Sequence, residues 1–187
     1  MGKDFIYPPF VVIDLETTGF SPTQDEVIEY GAIKVGENWE IEDVFSALAW
    51  PMAKEIPEHI CKLTGITYEM LKEENADLTY FTMDAFLQFI GDLPVIGHNV
   101  AFDIGFLDAA ISLRFPEDRR TLGNQRVDTL YMARRILPGL YSYKLESLAK
   151  YMGVKDAGFH RALADAEKTF FIYKKLFELQ KEKGVGM

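Results

Sequence analysis

The sequence predicts an α/β fold with a central mixed sheet of five strands, the first three antiparallel, flanked by α-helices. Three observations carry this. The first fifty residues hold apolar, strand-like runs separated by turn-forming stretches, and from about residue 56 apolar residues recur at helical spacing. Two short apolar segments, LPVIGH and RVDTL, then interrupt the helices. Three strands followed by alternating helices and short strands favour a mixed sheet covered on both faces.

Taken in order, residues 10–16 form a first strand whose continuous run Val11, Val12, Ile13 implies burial on both faces. TTGFSPTQDE is turn-forming. VIEYGAIKV and WEIEDVFSALAW read as two more strands, and the short link GENW makes them an antiparallel hairpin. IPEHICKLTG reads as a short helix opened by Pro57 and stopped by Gly65. In YFTMDAFLQFIGD the residues Met83, Phe86, Leu87 and Ile90 form one apolar stripe ended by Gly91. LPVIGH is a buried strand followed by the helix VAFDIGFLDAAISL. RVDTL leads into the helix DTLYMARRIL, which Pro138 terminates. KLESLAKYMG and HRALADAEKTFFIYKKLFELQ are the last helices. No repeat or interdomain linker is visible, so one domain over 1–187, with its core at about 9–180, is expected.

Composition narrows the function classes. With 48% hydrophobic residues the chain can fill a substantial core, yet no apolar run approaches bilayer length, and MGKDFIYPPF has no signal-peptide pattern. The single cysteine, Cys61, excludes an internal disulfide framework and suits a reducing compartment, so a cytoplasmic protein is expected. The net charge of −9 argues mildly against non-specific nucleic-acid binding. Its distribution is uneven: residues 1–111 hold 20 acids against 5 lysines, and residues 112–187 hold 15 basic residues against 9 acids.

Four acids stand where acids are expensive. Asp14 and Glu16 end the first strand and, with period two, project from one face. Asp103 shares a stripe with Phe106, Leu107 and Ala110 and so points to the core. Asp165 lies between Ala164 and Ala166, small residues that would let its helix lie close to the sheet, and His160 precedes it by five positions. A buried carboxylate costs several kcal/mol unless it is paired or binds a cation. Carboxylate oxygens are preferred ligands of Mg²⁺ and Mn²⁺, and phosphate oxygens commonly complete such shells, which points to phosphoryl-transfer chemistry. The three histidines and one cysteine lack a zinc pattern.

IDLETTG, GHNVAFDIGFL and HRALADA resemble the three motifs of the DEDDh 3′–5′ exonucleases, members of the ribonuclease H-like superfamily. The likeness is to the proofreading ε subunit of bacterial DNA polymerase III and to the PolC-type exonuclease domain. It spans roughly residues 9–180, with IPEHICKLTGIT, VDTLYMARRI and KLESLAKYMG similar to the family's connecting segments. The resemblance implies a ribonuclease H-like fold. It implies Asp14, Glu16, Asp103 and Asp165 as catalytic metal ligands for two divalent ions, Mg²⁺ or Mn²⁺, and His160 as general base. It also implies that Thr17, Thr18 and Gly19 receive the terminal nucleotide and that Phe20 acts as an apolar wedge. Thr64, Asn99 and Phe102 match substrate-side positions.

The implied reaction is two-metal hydrolysis of the last phosphodiester at the 3′ end of single-stranded or frayed DNA. It releases nucleoside 5′-monophosphates, in proofreading or repair, with a DNA polymerase subunit as candidate partner and no membrane. An RNA exonuclease of the same fold is the alternative, since sugar choice rests on a few contacts near the 2′ position. A non-catalytic module of a replication complex is a third reading, disfavoured by the complete set of five residues.

Overall fold

The computed structural model describes residues 5–52, 55–117, 121–154 and 161–182. Alternation along the first strand, β1 (Phe10–Thr17), sets the architecture. Phe10 and Val12 point into a core shared with Ile33, Val35, Phe170 and Tyr173, whereas Val11, Ile13 and Leu15 point into a second core with Met83, Phe86, Ile104 and Leu107. A strand apolar on both faces thus has a layer on each side.

Strands β2 (Val27–Val35) and β3 (Ile41–Trp50) complete an antiparallel trio with β1. β3 starts at Ile41 because Trp39 takes a left-handed φ of 62° in the hairpin turn, where its N–H donates to the Gly36 carbonyl at 2.9 Å. Helix α1 (Glu58–Thr64) ends at Gly65, whose φ of 75° suits a residue without Cβ. Helix α2 (Tyr68–Glu73), strand β4 (Asp77–Leu78) and helix α3 (Thr79–Ile90) follow. Strand β5 (Val95–Gly97) runs parallel to β1 and leads into helix α4 (Ala101–Arg114). Strand β6 (Arg126–Asp128), parallel to β5, opens helix α5 (Thr129–Ile136), and helices α6 (Leu145–Met152) and α7 (Ala162–Glu182) finish the described chain.

The sheet order is β4-β3-β2-β1-β5-β6. It therefore has six strands among the described residues rather than the expected five. The addition is β4, a two-residue strand that pairs parallel with the end of β3 at Ala49 and Trp50. Two residues carry no readable alternation. Helix α2 is also unanticipated; it is one short segment capped by Thr67, whose hydroxyl accepts from the Met70 N–H at 3.2 Å. The mixed α/β architecture and the antiparallel order of the first three strands are as expected. No helix of the described residues is long and apolar enough to cross a membrane.

The start of α7 lies directly on β2. A Cβ at Gly31 would fall 2.2 Å from the Ala162 carbonyl carbon and 2.3 Å from the Leu163 nitrogen. The small residues that allow this approach are Gly31 and Ala162; Ala164 is only half-buried. Both clashing atoms are backbone, so relief requires the helix to move. Gly31→Ala is expected to cost about 2–3 kcal/mol, read as a lowered urea midpoint at unchanged slope.

Candidate active site

The chemistry-bearing residues gather at the carboxyl ends of the parallel strands β1 and β5, where α/β sheets usually place their ligands. Asp14 and Glu16 lie on the same face of β1 as Phe10 and Val12, the face that α7 covers. Asp165, in the first turn of α7, is carried to them by the close approach over Gly31. Carboxylate oxygens of Asp14, Glu16 and Asp165 all lie within 4.8 Å of one another, a spacing that one metal ion can bridge. Asp103 arrives separately, from the first turn of α4, and its Oδ1 accepts the Leu15 backbone N–H at 3.1 Å. It stands outside the group of three but lines the same cleft, which has a volume of about 210 Å³ and includes Asp14, Glu16, Asn99, Phe102 and Asp165.

The electrostatics match a site built for a cation. Burial holds the Asp14 carboxyl well above the usual range, and the charges of Asp103, Glu16 and Asp165 push it further up. Asp14 is half-buried and lines the cleft. Glu16 is pushed up to about 8, chiefly by burial and then by Asp165 and Glu29. Asp103 also rises to about 8 through burial, against the opposing pull of backbone N–H groups. Three acids that resist ionisation beside a fourth are the expected signature of carboxylates waiting for positive charge. All-oxygen donors fit a hard divalent ion such as Mg²⁺ or Mn²⁺.

Comparison with known proteins agrees with this reading. Residues 11–173 match the exonuclease family. The chain belongs to that family. The DNA polymerase III subunit epsilon of Aquifex aeolicus is 40% identical over 180 residues, which cover 95% of this chain and 85% of that protein. The DNA polymerase III PolC-type of Clostridium perfringens is 38% identical over 174 residues, 92% of this chain but 11% of that protein. The chain thus spans about a tenth of the PolC-type relative's length. Among solved structures, the nuclease domain of 3′hExo, a DEDDh family member bound to rAMP, superposes with a TM-score of 0.75 at 19% identity and covers 92% of both chains. The resemblance read from the three motifs holds: this is an enzyme of the 3′–5′ exonuclease type, similar to the epsilon and PolC proteins.

Within this exonuclease the residues expected to meet substrate are placed unevenly. Asn99 and Phe102 line the cleft. Asn99 adopts a left-handed φ of 64°, tolerable for asparagine, and its N–H is held by Asp128 Oδ1 at 3.0 Å. Phe20 is 81% exposed and meets Phe102 edge-on, with ring centroids 6.4 Å apart. An exposed aromatic braced by a second ring is free to stack on a third. Thr17 and Thr18 spend their hydroxyls on the turn: Thr17 Oγ1 donates to the Gly19 carbonyl at 2.6 Å, and Thr18 Oγ1 accepts from the Glu26 N–H at 3.0 Å. Asp25 crowds the space a Gly19 Cβ would take. Thr64 does not line the cleft; its hydroxyl donates to the Ile60 carbonyl and accepts from the Ile66 N–H, fixing the end of α1. His160 lies outside the described residues.

Three residues of the site went unread in the sequence. Glu29, opposite Glu16 in the β1–β2 register, is 1% exposed. Its carboxylate accepts from Arg161 Nε and Nη2 at 2.9 and 2.7 Å and from the Ala162 N–H at 3.0 Å, clamping the start of α7 to the sheet. The signal was available: an acid inside the buried run VIEYGAIKV raises the same question as Asp14. Lys168 donates to Asp165 Oδ1 at 2.8 Å, and its place on the buried stripe with Asp165 and Ile172 is readable as helical spacing. His98 lines the cleft between Thr129 Oγ1, at 2.8 Å, and the Tyr143 carbonyl, at 2.9 Å. A carbonyl can only accept, so Nε2 carries a proton, and burial holds the ring below the usual histidine range. His98 therefore acts as a strut between β5, α5 and the segment before α6.

Proposed function

We propose that the chain removes nucleotides one at a time from the 3′ end of single-stranded or frayed DNA, releasing nucleoside 5′-monophosphates, in proofreading or repair. The observation that carries this reading is the convergence of Asp14, Glu16 and Asp165 within 4.8 Å, with Asp103 on the same cleft. Glu16 and Asp165 would hold one divalent ion, Asp103 would serve a second, and Asp14 would face both. Bound there, two Mg²⁺ or Mn²⁺ ions would supply a nucleophile at neutral pH and stabilise charge on the leaving oxygen.

The chain's own residues supply the rest. His160, five residues before Asp165, is assigned the general base; an unperturbed imidazole, with a pKa of about 6.5, can take a proton near neutrality. Phe20, resting edge-on against Phe102, offers its exposed face to the last base and favours a strand end already out of the duplex. The turn Thr17–Gly19, tied down by its own hydroxyls, would present backbone rather than side chains to the terminal sugar and phosphate. The acidic balance is compatible with DNA because the reaction needs only a few nucleotides of frayed strand, whose phosphates would meet the bound ions.

DNA is favoured over RNA because the relatives at 38–40% identity are DNA polymerase III proteins, and a DNA polymerase is the partner proposed on the same ground. Digestion of 3′- and 5′-labelled DNA and RNA oligomers, with and without a terminal mismatch, tests the reading. Mononucleotides should leave from the 3′ end of DNA only with Mg²⁺ or Mn²⁺ present, faster at a mismatch. Faster turnover of matched RNA would move the assignment to the RNA-directed alternative. No metal-dependent cleavage of either by folded protein would refute it.

A further inference from the structure

Among the described residues five acids line the cleft, Asp14, Glu16, Asp103, Glu146 and Asp165, and the last of them is met by a cation of the protein's own. Lys168 lies three residues beyond Asp165 on α7, and its Nζ is 2.8 Å from Asp165 Oδ1. Its side chain is 4% exposed, and among the described residues no other basic side chain is buried. Lysine is rarely enclosed to that degree, because removing an ammonium from water is costly even when it is paired. An exposed lysine on the outer face would serve the helix at lower cost. The Lys168 stem instead lies on the α7 face that also buries Asp165, Thr169 and Ile172. Its charge therefore sits beside the carboxylate cluster by construction.

We propose that Lys168 is a positioning residue of the metal centre: its ammonium, 2.8 Å from Asp165 Oδ1, fixes the orientation of that carboxylate and, as a cation beside the acids of the cleft, holds the affinity for divalent cations down. This rests on the metal-dependent reading above. Two positive charges a few ångströms apart in a partly desolvated site repel by enough to change binding about tenfold or more. A cleft tempered in this way is weak for a metal alone. It becomes strong when the phosphates of a DNA end bring further negative charge, so ion and substrate bind cooperatively.

Mn²⁺ binding to the full chain, followed by the electron paramagnetic resonance of free Mn²⁺ at pH 8 without DNA, tests this. K168M and the neutral polar variant K168Q should bind Mn²⁺ about tenfold more tightly than the unmodified protein. K168R, which keeps the charge, should bind with unmodified affinity. At saturating Mn²⁺, K168M should lose kcat several-fold at unchanged KM for DNA, because Asp165 has lost its tether. Far-UV circular dichroism checks folding, and K168Q carries the measurement should K168M misfold. Neutral variants that bind Mn²⁺ no more tightly than the unmodified chain overturn the role of Lys168. Absence of Mn²⁺ binding by the unmodified chain overturns the metal-centre reading and, with it, this one.

Discussion

Asp14→Ala is expected to abolish hydrolysis and, in a chelator, to yield a more heat-stable protein. Both effects have one origin. Asp14 lies among Asp103, Glu16 and Asp165, and each of these charges, on top of burial, drives its carboxyl up. Without metal the group is a liability to the fold: it either stays protonated or repels its neighbours. Alanine removes that repulsion and, at the cleft wall, leaves a gap that solvent can fill. A gain of about 1–2 kcal/mol, several degrees in Tm for a chain of this size, is the expected scale. Activity moves the other way. Asp14 is the carboxylate proposed to face both ions, so its loss should reduce turnover by roughly 10³-fold or more. Differential scanning calorimetry in EDTA and in excess Mn²⁺ separates the two effects. The unmodified protein should gain stability from Mn²⁺, and the variant should gain little. A variant that turned over DNA comparably, or melted lower in EDTA, would remove Asp14 from the site.

The sequence made the acids of the site legible because each conflict was local. Asp14 and Glu16 extend an apolar strand, and Asp103 interrupts an apolar helical stripe, so a few residues sufficed to mark them as anomalous. What stayed hidden was pairing at long range. Glu29 broke the same rule in VIEYGAIKV, but its partner Arg161 lies 132 positions away and nothing local announces it. The reason for the close approach of α7 was likewise only half visible. Alanines flanking Asp165 suggested it, yet the decisive contact is Ala162 over Gly31, one residue on each of two distant elements. Short elements escaped for a different reason. β4 is two residues long and α2 six, too few for either periodicity to accumulate. Thr64 carries a structural task as well. Its hydroxyl closes α1 through Ile60 and Ile66, a local task that the matching position does not reveal.

Metal-stripped protein should lose thermal stability as pH rises from about 5 to 8, and Mn²⁺ should restore it at the upper end alone. Glu16 and Asp103 are each held near 8 in the folded chain, while in the unfolded chain they return to ordinary carboxyl values near 4. Over the interval between, the folded state binds more protons than the unfolded one, so stability falls as pH increases. It is fully present below the unfolded value and lost as pH passes the folded one. This is opposite to the behaviour of salt-bridged acids, whose stabilisation disappears in acid. A divalent ion competes with those protons for the same oxygens. At pH 5 the carboxyls are largely protonated and Mn²⁺ should add little; at pH 8 ionisation is nearly free, and saturating Mn²⁺ should raise Tm by roughly 5–10 °C. Glu16→Gln should flatten the pH profile in EDTA by removing one of the two groups, and should blunt the response to metal at pH 8. Melting curves at four or five pH values, with EDTA or Mn²⁺, decide the matter. A metal-free Tm that stayed level or rose between pH 5 and 8 would mean that the acids are ordinary surface carboxylates, and the cleft would then have no built-in demand for a cation.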